Sequence, residues 1–118
     1  MQAEQLKLLV LDALDDIKAE DIKILDVRKM TDFTDTMIIA TGKSSRQVKA
    51  LANEVSSQVK AAGIQLTGME GEDVGEWVLV DLGDLIVHIM MPQIRDTYNL
   101  EKLWSVPETA EQVSAETE

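Results

Sequence analysis

Asp81, Asp84 and His88 stand inside "EWVLVDLGDLIVHIM", a run from Glu76 to Met90 that is otherwise almost entirely apolar. Two carboxylates and an imidazole could hold a divalent cation or divide acid and base roles. Their spacing points elsewhere. Gly83 supplies the backbone freedom of a tight hairpin, and the aspartates flank that turn, where such side chains commonly bond nearby backbone N–H groups. His88 then falls in the second strand, on the order of 13 Å from Asp84 at strand rise. A compact triad is not expected, although Asp81 could approach His88 across the hairpin. Turn and packing roles are the expectation.

A second candidate is "TGKSSRQ", Thr41 to Gln47, where a strand leads into a helix start. Unpaired N–H groups and the helix dipole favour an anion there, and Lys43 and Arg46 keep weak anion binding open. The spacing is not that of a phosphate-binding loop and holds one glycine. A capping box explains the same residues: Ser44 caps, and Gln47, three residues on, reaches back. A third candidate is "EGEDVGEW", Glu70 to Trp77. It is either solvated acidic loop beside a core tryptophan, or an aromatic anchor rimmed by carboxylates that suits a basic protein partner. Composition alone does not separate the two.

The elements that must position these residues follow from periodicity. Leu6, Leu9, Val10, Ala13, Leu14 and Ile17 make one stripe on a helix from about Gln2 to Lys18. Ile22–Val27 reads as a strand. "TMIIATG" reads as a second strand ending at Gly42, covered on both faces because Met37 to Ala40 do not alternate with polar residues. The second helix runs to about Ala62 and stops at Gly63. "IQLTGME" is a weaker strand, "GEDVG" an exposed acidic loop, and "WVLV" and "LIVHIMM" the hairpin strands. Pro92 opens a short helix, "PQIRDTY", and "NLEKLW" packs the end. The predicted order is α-β-β-α-β-β-β-α: one α/β domain over residues 1–104, with a mixed five-stranded sheet flanked by helices. The second strand, second helix and third strand form a crossover. Residues 105–118 read as a disordered acidic tail.

The 118 residues suffice for one domain with a modest core. A net charge of −11 argues against broad nucleic-acid binding, so little direct nucleic-acid contact is expected, and a partner with a basic surface is favoured. The tail holds four of the eleven excess negative charges, so the rest is acidic in its own right. With no cysteine there is no disulfide, thiolate nucleophile or Cys-ligated zinc. The N-terminus lacks a signal-peptide pattern, and no run is long enough to span a bilayer; a cytosolic protein with no membrane partner is the expectation.

"TDTMIIATGKSSRQV", "MEGEDVGEWVLVDLGDLIVHIM" and "YNLEKLW" together resemble the ribosomal silencing factor, or Iojap, family over about residues 3–104. Thr34, Asp35, Gly42, Ser44, Gln47, Glu70, Gly71, Trp77, Asp81, Gly83, Asp84, His88, Tyr98, Leu100, Glu101 and Trp104 stand in family order. The resemblance implies a mixed α/β fold similar to nucleotidyltransferases, with no enzymatic activity and no cofactor or metal. It also implies binding to the large ribosomal subunit through its fourteenth protein, at the face that meets the small subunit. Subunit joining is blocked and translation lowered when nutrients run short; homodimers are expected too. On this reading Trp77 is the anchor, with Glu70, Asp81, Asp84 and Tyr98 as rim contacts. Rival readings are a nucleotide-binding or nucleotidyl-transferring module and a homodimeric acidic adaptor that never meets the ribosome. The chain has no Asp-x-Asp pair of the kind such transferases use to hold Mg²⁺.

Overall fold

Two clusters of buried side chains, one on each face of a five-stranded sheet, organise the molecule. The computed structural model describes residues 3–103; Trp104 and the tail from Ser105 onward lie outside that range. The elements are α1 (Ala3–Asp16), β1 (Glu20–Asp26), β2 (Thr36–Thr41), α2 (Ser45–Ala61), β3 (Gly68–Glu70), β4 (Trp77–Asp81), β5 (Leu85–Met90) and α3 (Pro92–Tyr98). The element order matches the periodicity. The sheet order is β1-β2-β5-β4-β3, with β2 and β5 parallel and every other pair antiparallel.

The larger cluster lies under α1 and α2. Leu6, Val10, Ala13 and Leu14 of α1 meet Val48, Leu51, Ala52, Val55 and Val59 of α2 over Ile38, Ala40, Val78, Val80, Val87 and Ile89 of the sheet. Both helices present these residues at three- and four-residue spacing, which places them on one stripe. The smaller cluster, on the opposite face, holds Val27, Met37, Ile39, Met90 and Leu100, with Leu25, Trp77 and Ile94 packed against it. Strands β2 and β5 thus contribute to both, and five of the six β2 residues and all of β5 are buried. That explains their unbroken apolar character.

Two features depart from expectation. The third strand is three residues long, not seven: β3 is an edge strand whose ladder with β4 covers Gly68 to Glu70. The crossover from β2 through α2 delivers the chain to that far edge, because β4 and β5 fold back as a meander and fill the space between. The parallel neighbour of β2 is therefore β5, in register from Thr36 opposite Leu85 to Thr41 opposite Met90.

The acidic loop after β3 is shaped by Gly71, at φ +91°, where a Cβ would stand 2.1 Å from the Trp77 carbonyl oxygen. Only a residue without a side chain lets the loop pass the start of β4 so closely. Glu72, Asp73 and Val74 are exposed, but Gly75 is buried against Lys49 and the Ser45 carbonyl.

Candidate functional site

The face opposite α1 and α2 gathers most of the singled-out residues, and strand register says why. Paired residues on antiparallel strands share a face. Glu70 pairs with Leu79, Leu79 with His88, Asp81 with Ile86, and Trp77 with Met90. Glu70, Trp77, Leu79, Asp81, Ile86, His88 and Met90 therefore all stand on the face away from the large helices. Helix α3 crosses one end of that face and brings in Tyr98.

Trp77 is half-buried at the centre of an aromatic group. Its indole Nε1–H donates to His88 Nδ1 at 2.9 Å. The imidazole centroid lies 5.8 Å away at 51°, and the Tyr98 ring 4.9 Å away at 49°. Both are the tilted arrangements that ring quadrupoles favour. Tyr98 is 57% exposed while His88 is 6% exposed, so the group runs from solvent into the sheet. Burial pushes the His88 pKa down to about 4, which keeps the imidazole neutral at ordinary pH.

Asp81 takes the turn role expected of it, whereas Asp84 stands in the turn itself and bonds through its backbone carbonyl. Asp81 ends β4, and its Oδ1 accepts from the Gly83 N–H at 2.9 Å, while Gly83 sits at φ +90°. The Leu82 N–H donates to the Leu85 carbonyl at 2.9 Å, which places Gly83 and Asp84 at the tip. Exposed Asp84 offers its carbonyl to the N–H groups of Asp35 and Thr36, tying the hairpin to the start of β2. The side chain that reaches His88 across the hairpin is Trp77, not Asp81.

The helix start at Ser44 is capped as expected, with one addition. Ser44 Oγ accepts from the Gln47 N–H at 3.2 Å. Gln47 Oε1 accepts from the N–H of Lys43, one residue before the cap, at 2.7 Å. Its Nε2 donates to the carbonyls of Ile17 and Lys18 at 3.0 and 3.2 Å. Gln47 thus also ties the start of α2 to the turn that follows α1, a role that a capping pattern does not announce.

Sequence reasoning missed Arg95, which is buried and bonds Thr41 and Glu101. It also missed the Trp77–His88 bond. A signal for the bond existed: closing the turn between Leu82 and Leu85 sets Leu79 opposite His88, and Trp77 is then its diagonal neighbour, within reach of a long side chain.

From Glu70 to Asp84 the chain carries six carboxylates and no lysine or arginine. Two hollows, of about 270 Å³ beside Arg28 and about 520 Å³ beside Arg95, lie away from the aromatic group: neither is lined by Trp77, His88 or Tyr98. Among the described residues no three of Asp, Glu and His converge as a metal would require. No helix there is long and apolar enough to cross a membrane.

Fold and site together define a small α/β domain with a half-buried aromatic group on the sheet face opposite its two large helices. The chain belongs to the family described as ribosomal silencing factor during starvation, whose model matches residues 1–118. It is 51% identical to the ribosomal silencing factor RsfS of Chromobacterium violaceum over 104 residues, 88% of this chain and 85% of that one. A crystal structure of a protein from the same organism superposes with a TM-score of 0.88 at 50% identity, covering 89% of this chain and 88% of that one. A mouse protein named mitochondrial assembly of ribosomal large subunit protein 1 is 33% identical over 105 residues, 84% of this chain and 46% of its own length.

Proposed function

We propose that the face centred on Trp77 docks this domain onto the large ribosomal subunit, chiefly on its fourteenth protein, and that occupancy there keeps the small subunit from joining. The observation that carries the reading is the aromatic group itself. Trp77 packs against both His88 and Tyr98 on the sheet, and the neighbouring sequence is acidic. Large aromatics at the centre of a patch with a charged rim are the usual anatomy of a protein-binding surface. To Glu70, Asp81, Asp84 and Tyr98 we assign the outlying contacts; Glu70, Asp84 and Tyr98 are exposed and Asp81 partly so. Family membership and the mouse relative's name support a ribosomal target.

Electrostatics narrow the foothold. A domain of this charge is repelled by ribosomal RNA, so the contact falls on a basic protein, and charge guides the approach. Steric exclusion requires no bond to be made or broken, so the proposal includes no catalysis, cofactor or metal, and it places the protein in the ribosome's compartment. A homodimer formed through the same face would compete with docking. Sedimentation with purified large subunits on a sucrose gradient tests the reading: co-migration of the parent protein and loss of it for Trp77→Ala are expected. Migration away from large subunits, or equal binding of both proteins, overturns it. Specific binding of Mg-ATP or Mg-CTP in calorimetry would instead favour the nucleotide-binding reading.

A further inference from the structure

Every residue of β5 except His88 is apolar: Leu85, Ile86, Val87, Ile89 and Met90. In the sheet His88 lies between Ile39 of β2 and Leu79 of β4, both in register with it. A leucine or methionine would suit such a place at least as well, because burying an imidazole forfeits hydration that one hydrogen bond must offset. Among the described residues its side chain has one hydrogen-bond partner, Trp77, from which it accepts.

That bond dictates the chemical state of both rings. An indole N–H can only donate, so Nδ1 of His88 carries the lone pair and the proton resides on Nε2. The low pKa of the imidazole agrees with that state. The consequence for Trp77 is larger. Nε1 is the only polar atom of its side chain, and its single donor is spent inside the protein. What Trp77 offers at the surface is hydrocarbon, its indole bonded to His88 and packed against Tyr98.

We propose that His88 is a positioning residue for docking: through Nδ1 it turns the indole N–H inward and presents Trp77 as a pre-ordered, wholly apolar anchor. The partner site that fits such an anchor is an apolar pocket with no hydrogen-bond acceptor aimed at the ring, surrounded by basic groups that meet the carboxylate rim. The alternative is that His88 only fills space. The two differ in what a leucine does: as filler it is neutral for binding, whereas without the lock the indole regains rotamers that docking must freeze out. The inference rests on the docking reading above, and the experiment separates the two.

Three variants and one spectroscopic measurement test it. Affinity for purified large subunits is measured for Trp77→Ala, His88→Leu and His88→Asn. Asparagine Oδ1 stands the same number of bonds from the backbone as Nδ1 and can accept the same proton. Expected are a loss of about tenfold for His88→Leu, the order of effect of freeing one large side chain, and recovery to within about threefold for His88→Asn. Parent-like binding by His88→Leu, beside weak binding by Trp77→Ala, overturns the positioning role and leaves docking standing. Parent-like binding by Trp77→Ala overturns both. Nitrogen-15 NMR of the unaltered protein keeps the inference falsifiable if His88→Leu does not fold. A bare Nδ1 on His88 and slow solvent exchange of the Trp77 indole proton are expected; a protonated Nδ1, or an indole proton exchanging freely, contradicts the lock.

Discussion

Arg95 joins Glu101 across the end of α3: its Nε and Nη2 donate to one Glu101 carboxylate oxygen at 3.1 and 2.8 Å, while Nη1 donates to Thr41 Oγ1 at 2.7 Å. The chain reverses between them at Asn99, in the left-handed conformation at φ 50°. One buried guanidinium thus pins both α3 and the turn after it to the end of β2. Tyr98 is carried on that clamp, so the aromatic surface depends on it. Removing one partner of a buried pair leaves the other charge uncompensated. Glu101→Gln should therefore cost about 2 kcal/mol and Arg95→Ala about 3 kcal/mol, figures just below and at the lower end of the usual range because the carboxylate is partly exposed. Urea unfolding of the two variants checks this; a change below about 0.5 kcal/mol in both would show that the clamp is unimportant.

Gly71 makes a sharper test of backbone geometry. An added methyl group would overlap the Trp77 carbonyl, and the positive φ is itself unfavourable for any other residue. Gly71→Ala should destabilise the domain by more than about 2 kcal/mol. Gly68, three residues earlier with nothing within 4 Å of its would-be Cβ, should accept alanine with a change of about 0.5 kcal/mol or less. Thermal melts of the pair decide it, and equal shifts would contradict the loop geometry.

Acid should destabilise the protein in two steps. The folded His88 takes up its proton only near pH 4, whereas the unfolded imidazole does so near 6.5. The unfolded state binds more protons between these values, so stability is complete above about 6.5 and falls by up to about 3 kcal/mol towards pH 4. Glu101 acts in the same direction lower down: its hydrogen bonds from Arg95 hold its pKa below 4.5, so its contribution is present above that value and is lost as pH falls through the lowered pKa. His88→Asn should flatten the decline between pH 6.5 and 4 and leave the lower stage intact. Chemical denaturation at a series of pH values reads this directly, and an unchanged slope in the variant would assign the first stage to other groups.

Docking should respond differently to its anchor and its rim. Trp77→Ala should weaken binding to the large subunit by more than about 2 kcal/mol with the domain still folded. Neutralising Glu70 and Asp84 together should mainly slow association and reduce its dependence on salt, because rim charges steer more than they hold. Stopped-flow association at two ionic strengths separates the effects. A rim variant that associates as fast as the parent at low salt would remove charge guidance from the account.

Much of this was legible in the residues. The unalternating β2 announced a strand covered on both faces, Ser44 and Gln47 marked the start of α2, and Pro92 that of α3. These signals are local, set by one residue's own backbone chemistry or its neighbours a turn away. The strand order was not legible, because pairing β2 with β5 joins segments almost fifty residues apart and no local preference encodes it. Nor was the three-residue length of β3, which depends on how far β4 extends beside it. At the site, the turn role of Asp81 was legible, because an aspartate two residues before a glycine bonds locally. The Arg95–Glu101 bond escaped because it spans a left-handed break, where helical spacing no longer says which side chains meet.

Exclusion by occupancy is measured most directly by subunit joining. Purified small and large subunits are mixed at a Mg²⁺ concentration that supports association, with increasing amounts of this protein added first to the large subunits, and coupled ribosomes are followed by light scattering. Coupling should fall as the protein saturates the large subunits and be restored with Trp77→Ala. Coupling at the same rate and to the same extent with the large subunits saturated would contradict exclusion by occupancy.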